Sequence, residues 1–230
     1  ATAALYMHIV KIFQRRFNAR HDADYTPMVI CSVPAPDVVE KNEDEKRLVK
    51  MLKQAGKDLE RAGADFFVIA CNTVQKYLTD IKEEISIPYI DLNVEIARAA
   101  AQRSFHTVGI LGTEATLADG ILEKACRDED IDVVVPNRLD QRALTRVIMT
   151  ILSGKPGADA RRIILAAISD LRRNGAQAVV LACTDLRLVV SGDESPVPLL
   201  DSVDVLAQAA VRECGPPSTQ TATSNAPRKH

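Results

Sequence analysis

The chain has 230 residues, 47% of them hydrophobic and 26% charged, with a formal net charge of -2. That balance gives no reason to expect nucleic acid or an anionic membrane as a partner, and no apolar run approaches the roughly 20 residues of a membrane span. Five cysteines, an odd number without C-x-x-C spacing, point to free thiols in a reducing cytoplasm.

In chain order, residues 1–17 predict an amphipathic helix, with Leu5, Ile9, Ile12 and Phe13 on one face. Asn18 to Thr26 is a polar loop and Met28 to Cys31 a short strand. Pro34 and Pro36 make the next stretch a loop. Asn42 to Ala62 has helical periodicity that Gly63 closes. A continuous apolar run, Phe66 to Ala70, predicts a buried strand. Helices follow over Thr73–Glu84 and Leu92–Arg103. A second series predicts a strand over Thr107–Leu111, a helix over Thr113–Arg127 and a strand over Ile131–Val135. Helices over Arg138–Leu152 and Ala158–Asn174 come next, and then the strand Ala178–Ala182. A short strand ending at Leu200 and a helix over Ser202–Cys214 complete it. Residues 215–230 are too polar and proline-rich to build a core and are expected to be disordered. Strands alternating with helices make this an α/β fold.

The chain repeats itself. Gly63 and Gly175 each precede an apolar strand that ends in a cysteine eight residues on, Cys71 and Cys183. Pro88 and Pro198 each precede a short strand that ends in an aspartate, Asp91 or Asp201, placed to cap a helix. Two similar domains are expected, each a mostly parallel sheet flanked by helices: 1–98 with 203–214, and 99–202. Ala1 to Leu5 aligns with Ala115 to Asp119, so the first copy's opening strand and glycine-rich loop are expected upstream of residue 1.

A lone cysteine in an apolar strand is usually core packing, and Cys31, Cys126 and Cys214 are read that way. Cys71 and Cys183 differ, because they close equivalent strands, where open α/β sheets place ligands. Free backbone N–H groups at such strand ends are expected to lower a thiol's pKa. Two facing thiols suit inversion of a carbon centre, one removing a proton and the other returning it. Asn72, Thr73 and Thr184 supply polar groups beside helix N-termini, which favour carboxylates. Thr113 and Thr116 supply more from the turn after Gly109-x-x-Gly112, although each threonine also fits a simple N-cap. The four histidines are scattered and form no metal-ligand spacing, and no complete dinucleotide or phosphate-loop fingerprint occurs.

Ala70-Cys71-Asn72-Thr73, Leu181-Ala182-Cys183-Thr184-Asp185 and the Gly109 to Thr116 turn resemble the aspartate/glutamate racemase superfamily, its aspartate racemase branch most of all. The resemblance runs nearly to Cys214. It implies an isomerase that interconverts L- and D-amino acids without pyridoxal phosphate or any other cofactor, using Cys71 and Cys183. It also implies a last helix that returns to the first domain, and a homodimer. Lys155 matches a Gly-Lys pair often found in relatives and is a further substrate-binding candidate. The pattern departs at Gln75, where relatives often carry His, at Asp185, where Glu is usual, and at Val38. At that last position aspartate-specific relatives carry an Arg that clamps the side-chain carboxylate. A decarboxylase or isomerase of a small dicarboxylic acid, or a non-catalytic carboxylate-binding protein, are the rival readings.

Overall fold

The computed structural model describes residues 1–36 and 44–216. Val38 and most of the expected disordered tail, 217–230, lie outside the described residues. Four strands form one parallel sheet in the order β2-β1-β3-β4. They are β1 (Thr107–Leu111), β2 (Asp132–Val134), β3 (Ala178–Leu181) and β4 (Leu199–Asp201). Nine α-helices are described: α1 (Thr2–Phe17), α2 (Glu45–Arg61), α3 (Leu78–Lys82), α4 (Leu92–Ala101), α5 (Glu114–Ala118), α6 (Ile121–Asp128), α7 (Arg138–Leu152), α8 (Ala160–Arg173) and α9 (Ser202–Cys214).

Both faces of the sheet are covered, which is why its central strands read as unbroken apolar runs. Val108, Ile110, Ala178 and Val180 face a core that includes Leu5, Ile9 and Phe13 of α1, Leu92 and Ile96 of α4, and Leu206 and Val211 of α9. Leu111, Val179 and Leu181 face a second core built by α7 and α8. Gly109 lets α8 approach closely, because a Cβ there would sit 2.8 Å from Leu171 Cδ1 and 3.1 Å from Val179 Cγ2. Residues of α2 and α3 form a third, smaller core with Phe67, Val74 and Tyr77.

The repeat is visible in the backbone. Gly63 and Gly175 follow helices with φ of 83° and 99°, a region that only glycine enters without strain. Phe67 N donates to Pro88 O at 3.0 Å, and Val179 N donates to Pro198 O at 2.9 Å. Asp91 accepts from the N–H groups of Asn93 and Val94, and Asp201 from those of Val203 and Asp204.

The first half is less regular than expected. Phe66–Ala70 makes one parallel bridge, Phe67 to Tyr89, and no ladder. Met28–Cys31 is not assigned as a strand; Val29 and Ile30 are each 53% exposed. In the second half β1 pairs with both β2 and β3. Among the described residues no strand lies between Met28–Cys31 and Phe66–Ala70 to do the same, and a strand's backbone groups pair only when a neighbour is beside them. Cys31 is therefore exposed rather than core, whereas Cys126 is fully buried. The helix expected over Thr113–Arg127 breaks at Gly120, whose φ is 65°. The one expected over Thr73–Glu84 opens as a 3-10 turn, Thr73–Tyr77.

Candidate active site

Cys71 ends the first apolar run and Cys183 follows β3. Each sulfur accepts from two backbone N–H groups, those of Thr73 and Val74 for Cys71 and those of Asp185 and Leu186 for Cys183. The donors stand two and three residues beyond the cysteine in both cases. The thiols are near enough that charge on Cys71 raises the pKa of Cys183, and Asp185 acts on both.

The expected lowering of the thiol pKa is not found. Burial pushes Cys71 up and pushes Cys183 up to about 12, against the opposing pull of the backbone donors. Desolvation of a charged thiolate outweighs a few N–H dipoles when little water reaches the sulfur. Both groups therefore rest as neutral thiols.

Around them the two halves meet through hydroxyls. Thr73 Oγ1 lies 3.4 Å from Thr113 Oγ1 and 3.1 Å from Thr116 Oγ1, and the last two are 3.0 Å apart. All three are buried. Thr113 also caps α5, accepting from Thr116 N at 3.1 Å. Asn72 is 3% exposed, and its Nδ2 and Oδ1 have no partner among the described residues. It does not cap the turn it precedes. An amide this buried and unpaired is costly unless it meets a polar group. Thr184 is half-buried beside Cys183. Lys155 is exposed in the turn after α7, and its side chain hydrogen-bonds to none of these residues.

Gln75 and Gln141 brace the site. Gln75 Nε2 donates to Ile69 O and Cys71 O at 3.0 and 2.9 Å, tying down the end of the first cysteine strand. Gln141 Nε2 donates to Gly112 O at 2.9 Å, fixing the turn that presents Thr113. The sequence signal for Gln141 is a polar residue in the buried stripe Gln141, Leu144, Ile148, Ile151 of α7. Surface clefts of about 280 Å³ beside Ala97 and Ile121 and about 400 Å³ beside Lys50 and Glu84 hold neither cysteine. Among the described residues no group of three or more His, Cys, Asp or Glu could hold a metal ion. No helix there is long and apolar enough to cross a membrane.

The family model for Asp/Glu/Hydantoin racemases matches residues 1–210. The chain belongs to the Asp/Glu/Hydantoin racemase family. Its relatives include the broad specificity amino-acid racemase RacX of Bacillus subtilis, 25% identical over 92% of both chains. The glutamate racemase of Thermus thermophilus is 31% identical over 66% of this chain and 56% of its own length. The aspartate racemase of Picrophilus torridus has the same fold, with a TM-score of 0.75, 25% identity and coverage of 93% of this chain and 90% of that one. A putative Asp/Glu racemase from Yersinia pestis matches in fold with a TM-score of 0.77 at 24% identity, over 91% of each chain.

Proposed function

We propose that this racemase-family chain interconverts the enantiomers of an amino acid by a two-thiol mechanism without a bound cofactor. The observation that supports it is the matched placement of Cys71 and Cys183, each at an equivalent chain position on the same pair of backbone donors. The two domains of the duplication, 1–98 with 203–214 and 99–202, bring one cysteine each.

One thiol, as thiolate, removes the Cα proton from one face, and the other, still protonated, returns a proton to the opposite face. For the reverse direction the roles exchange. The resting site disfavours a thiolate, because burial raises both pKa values. An amino acid brings its own ammonium group, and a cation beside a buried sulfur favours the charged form. Binding of the substrate thus supplies the charge that activates the base. Asn72 and the hydroxyls of Thr73, Thr113, Thr116 and Thr184 take the α-carboxylate. The same donors serve the negative charge that spreads onto that carboxylate as the proton leaves.

The test is a screen of single-enantiomer amino acids in deuterated water, followed by NMR for deuterium at Cα and by polarimetry for loss of rotation. Deuteration with racemisation supports the reading. Turnover of a small dicarboxylic acid without α-exchange overturns it.

A further inference from the structure

The loop that carries Cys183 is anchored by four side chains that the proposed chemistry does not use. Arg187 stands four residues beyond Cys183, in the 3-10 turn Leu186–Leu188. Its NH1 group pairs with Asp201, at 3.2 Å from Oδ1 and 3.1 Å from Oδ2. Its NH2 group meets Nε2 of His8, on α1. The other ring nitrogen of His8, Nδ1, pairs with Asp204 Oδ1 on α9. His8, Arg187 and Asp201 side chains are 17%, 18% and 15% exposed, so water screens the contacts among them poorly, whereas Asp204, at 47%, stands half in solvent.

The chemistry of the partners assigns the histidine's proton. A guanidinium has five N–H donors and no acceptor. Nε2 must therefore offer its lone pair to Arg187, which leaves the proton on Nδ1, donated to the Asp204 carboxylate. A second proton on the ring would set an N–H against a guanidinium, exchanging an attraction for a repulsion between cations. The charged groups that face His8 are Asp204 from α9 and Arg187 from the cysteine loop, with Asp201 one step beyond.

The position of Arg187 has a counterpart in the repeat. Gln75 stands four residues beyond Cys71 and braces its loop by donating to Ile69 O and Cys71 O. The first cysteine loop is thus fastened to its own backbone. The second is fastened to α1 and α9, through Arg187 to His8 and Asp201 and from His8 to Asp204.

We propose that His8, with its proton on Nδ1, is the positioning residue for the Cys183 loop, holding it through Arg187. The inference rests on the proposed two-thiol reading for its catalytic consequence but not for its structural one.

The test has two arms on the full chain. In the first, the rate of Cys183 alkylation by iodoacetamide at one fixed pH is read by peptide mass spectrometry and divided by that of a small thiol in the same tube. The expected ratio is about tenfold higher in His8→Ala than in the wild type, and it stays at the wild-type level in His8→Gln, whose amide oxygen accepts from Arg187. A ratio unchanged in His8→Ala, or raised equally in His8→Gln, overturns the proposal, and circular dichroism of each variant guards against misfolding. In the second arm, kcat for racemisation falls about tenfold in His8→Ala with little change in KM, since the loop that moves carries a reacting group. A ratio raised in His8→Ala alone, in a protein that never racemises, keeps the latch and removes the proposed function. Racemisation with equal ratios in the wild type and His8→Ala does the reverse.

Discussion

Cys71 and Cys183 are held alike: each sulfur accepts from the N–H groups two and three residues further along the chain. Gly63 and Gly175, eight residues upstream, both take positive φ, so the run to each cysteine starts from the same kind of turn. Two thiol positions of one design suit the proposed reaction, whose substrate and product are mirror images. What separates them lies beyond the sulfurs, in Gln75 on one side and Arg187 on the other.

Thiol reactivity will show the effect of burial. The Cys183 pKa is pushed up to about 12, so its thiolate fraction is small at neutral pH and gains about tenfold per pH unit. Its alkylation rate is expected to keep climbing beyond pH ~10, where that of a free cysteine, with a pKa of about 8.5, has levelled off. Saturation addition of an amino-acid substrate is expected to lower the apparent pKa of one thiol, because the ammonium favours the thiolate. A plateau at the pH of free cysteine, without substrate, would contradict the desolvated site.

The two thiols are expected to be indispensable together. Cys71→Ser and Cys183→Ser should each abolish racemisation, since an alcohol is too weak an acid to form the base. Cys31→Ser, Cys126→Ser and Cys214→Ser should retain it. Chiral chromatography after incubation with one enantiomer reads the result, and full activity in either of the first two variants would sink the mechanism.

Much of this site was legible in the residues, because a duplication declares its equivalent positions: the paired Gly, Cys and Asp fell where the repeat placed them. The thiol pKa values were not, since burial of Cys71 and Cys183 depends on chain segments far away in sequence. Nor was the loose first half. Phe66–Ala70 and Met28–Cys31 have strand-like composition, but composition does not tell whether a neighbouring strand is beside them. Gly120 lies inside a helix-like stretch of sequence, but its positive φ splits α5 from α6. His8 and Arg187 are 179 residues apart, and no local pattern links them.

Gln141 offers a check on the brace beneath Thr113. Gln141→Leu keeps the volume but leaves Gly112 O without its 2.9 Å donor. A buried carbonyl left unpaired costs about 1–3 kcal/mol. The expected outcome is a lower melting temperature together with at least a tenfold fall in kcat/KM for racemisation. A variant that loses stability and keeps full kcat/KM would show that the turn holds its shape without the glutamine.

Cofactor independence is open to a direct measurement. Turnover is expected to survive exhaustive dialysis against a chelator, and the purified protein is expected to show no pyridoxal absorbance. Activity that is lost on dialysis and returns with a divalent metal or pyridoxal phosphate would replace the two-thiol scheme with another.

Substrate choice turns on what meets the side-chain carboxylate. Aspartate-specific relatives are expected to use an arginine directly after Pro-Asp, and this chain has Val38 after Pro36-Asp37. A guanidinium offers two parallel charge-assisted hydrogen bonds, which valine does not supply. A hydrogen bond to a charged group is worth about 1.5–3 kcal/mol, or roughly tenfold to more than a hundredfold in selectivity. Lys155 is the remaining candidate. It is exposed, and its ammonium has no partner among the described residues; we propose that it meets the carboxylate as a point charge of looser geometry. The expected result is weaker discrimination between acidic and neutral amino acids than in aspartate-specific relatives. Comparing kcat/KM for aspartate and glutamate with that for a neutral amino acid of similar size measures it. Val38→Arg should raise the acidic-to-neutral ratio, and Lys155→Met should lower it. If the wild type turns over aspartate alone and neither substitution moves the ratio, another group holds the carboxylate.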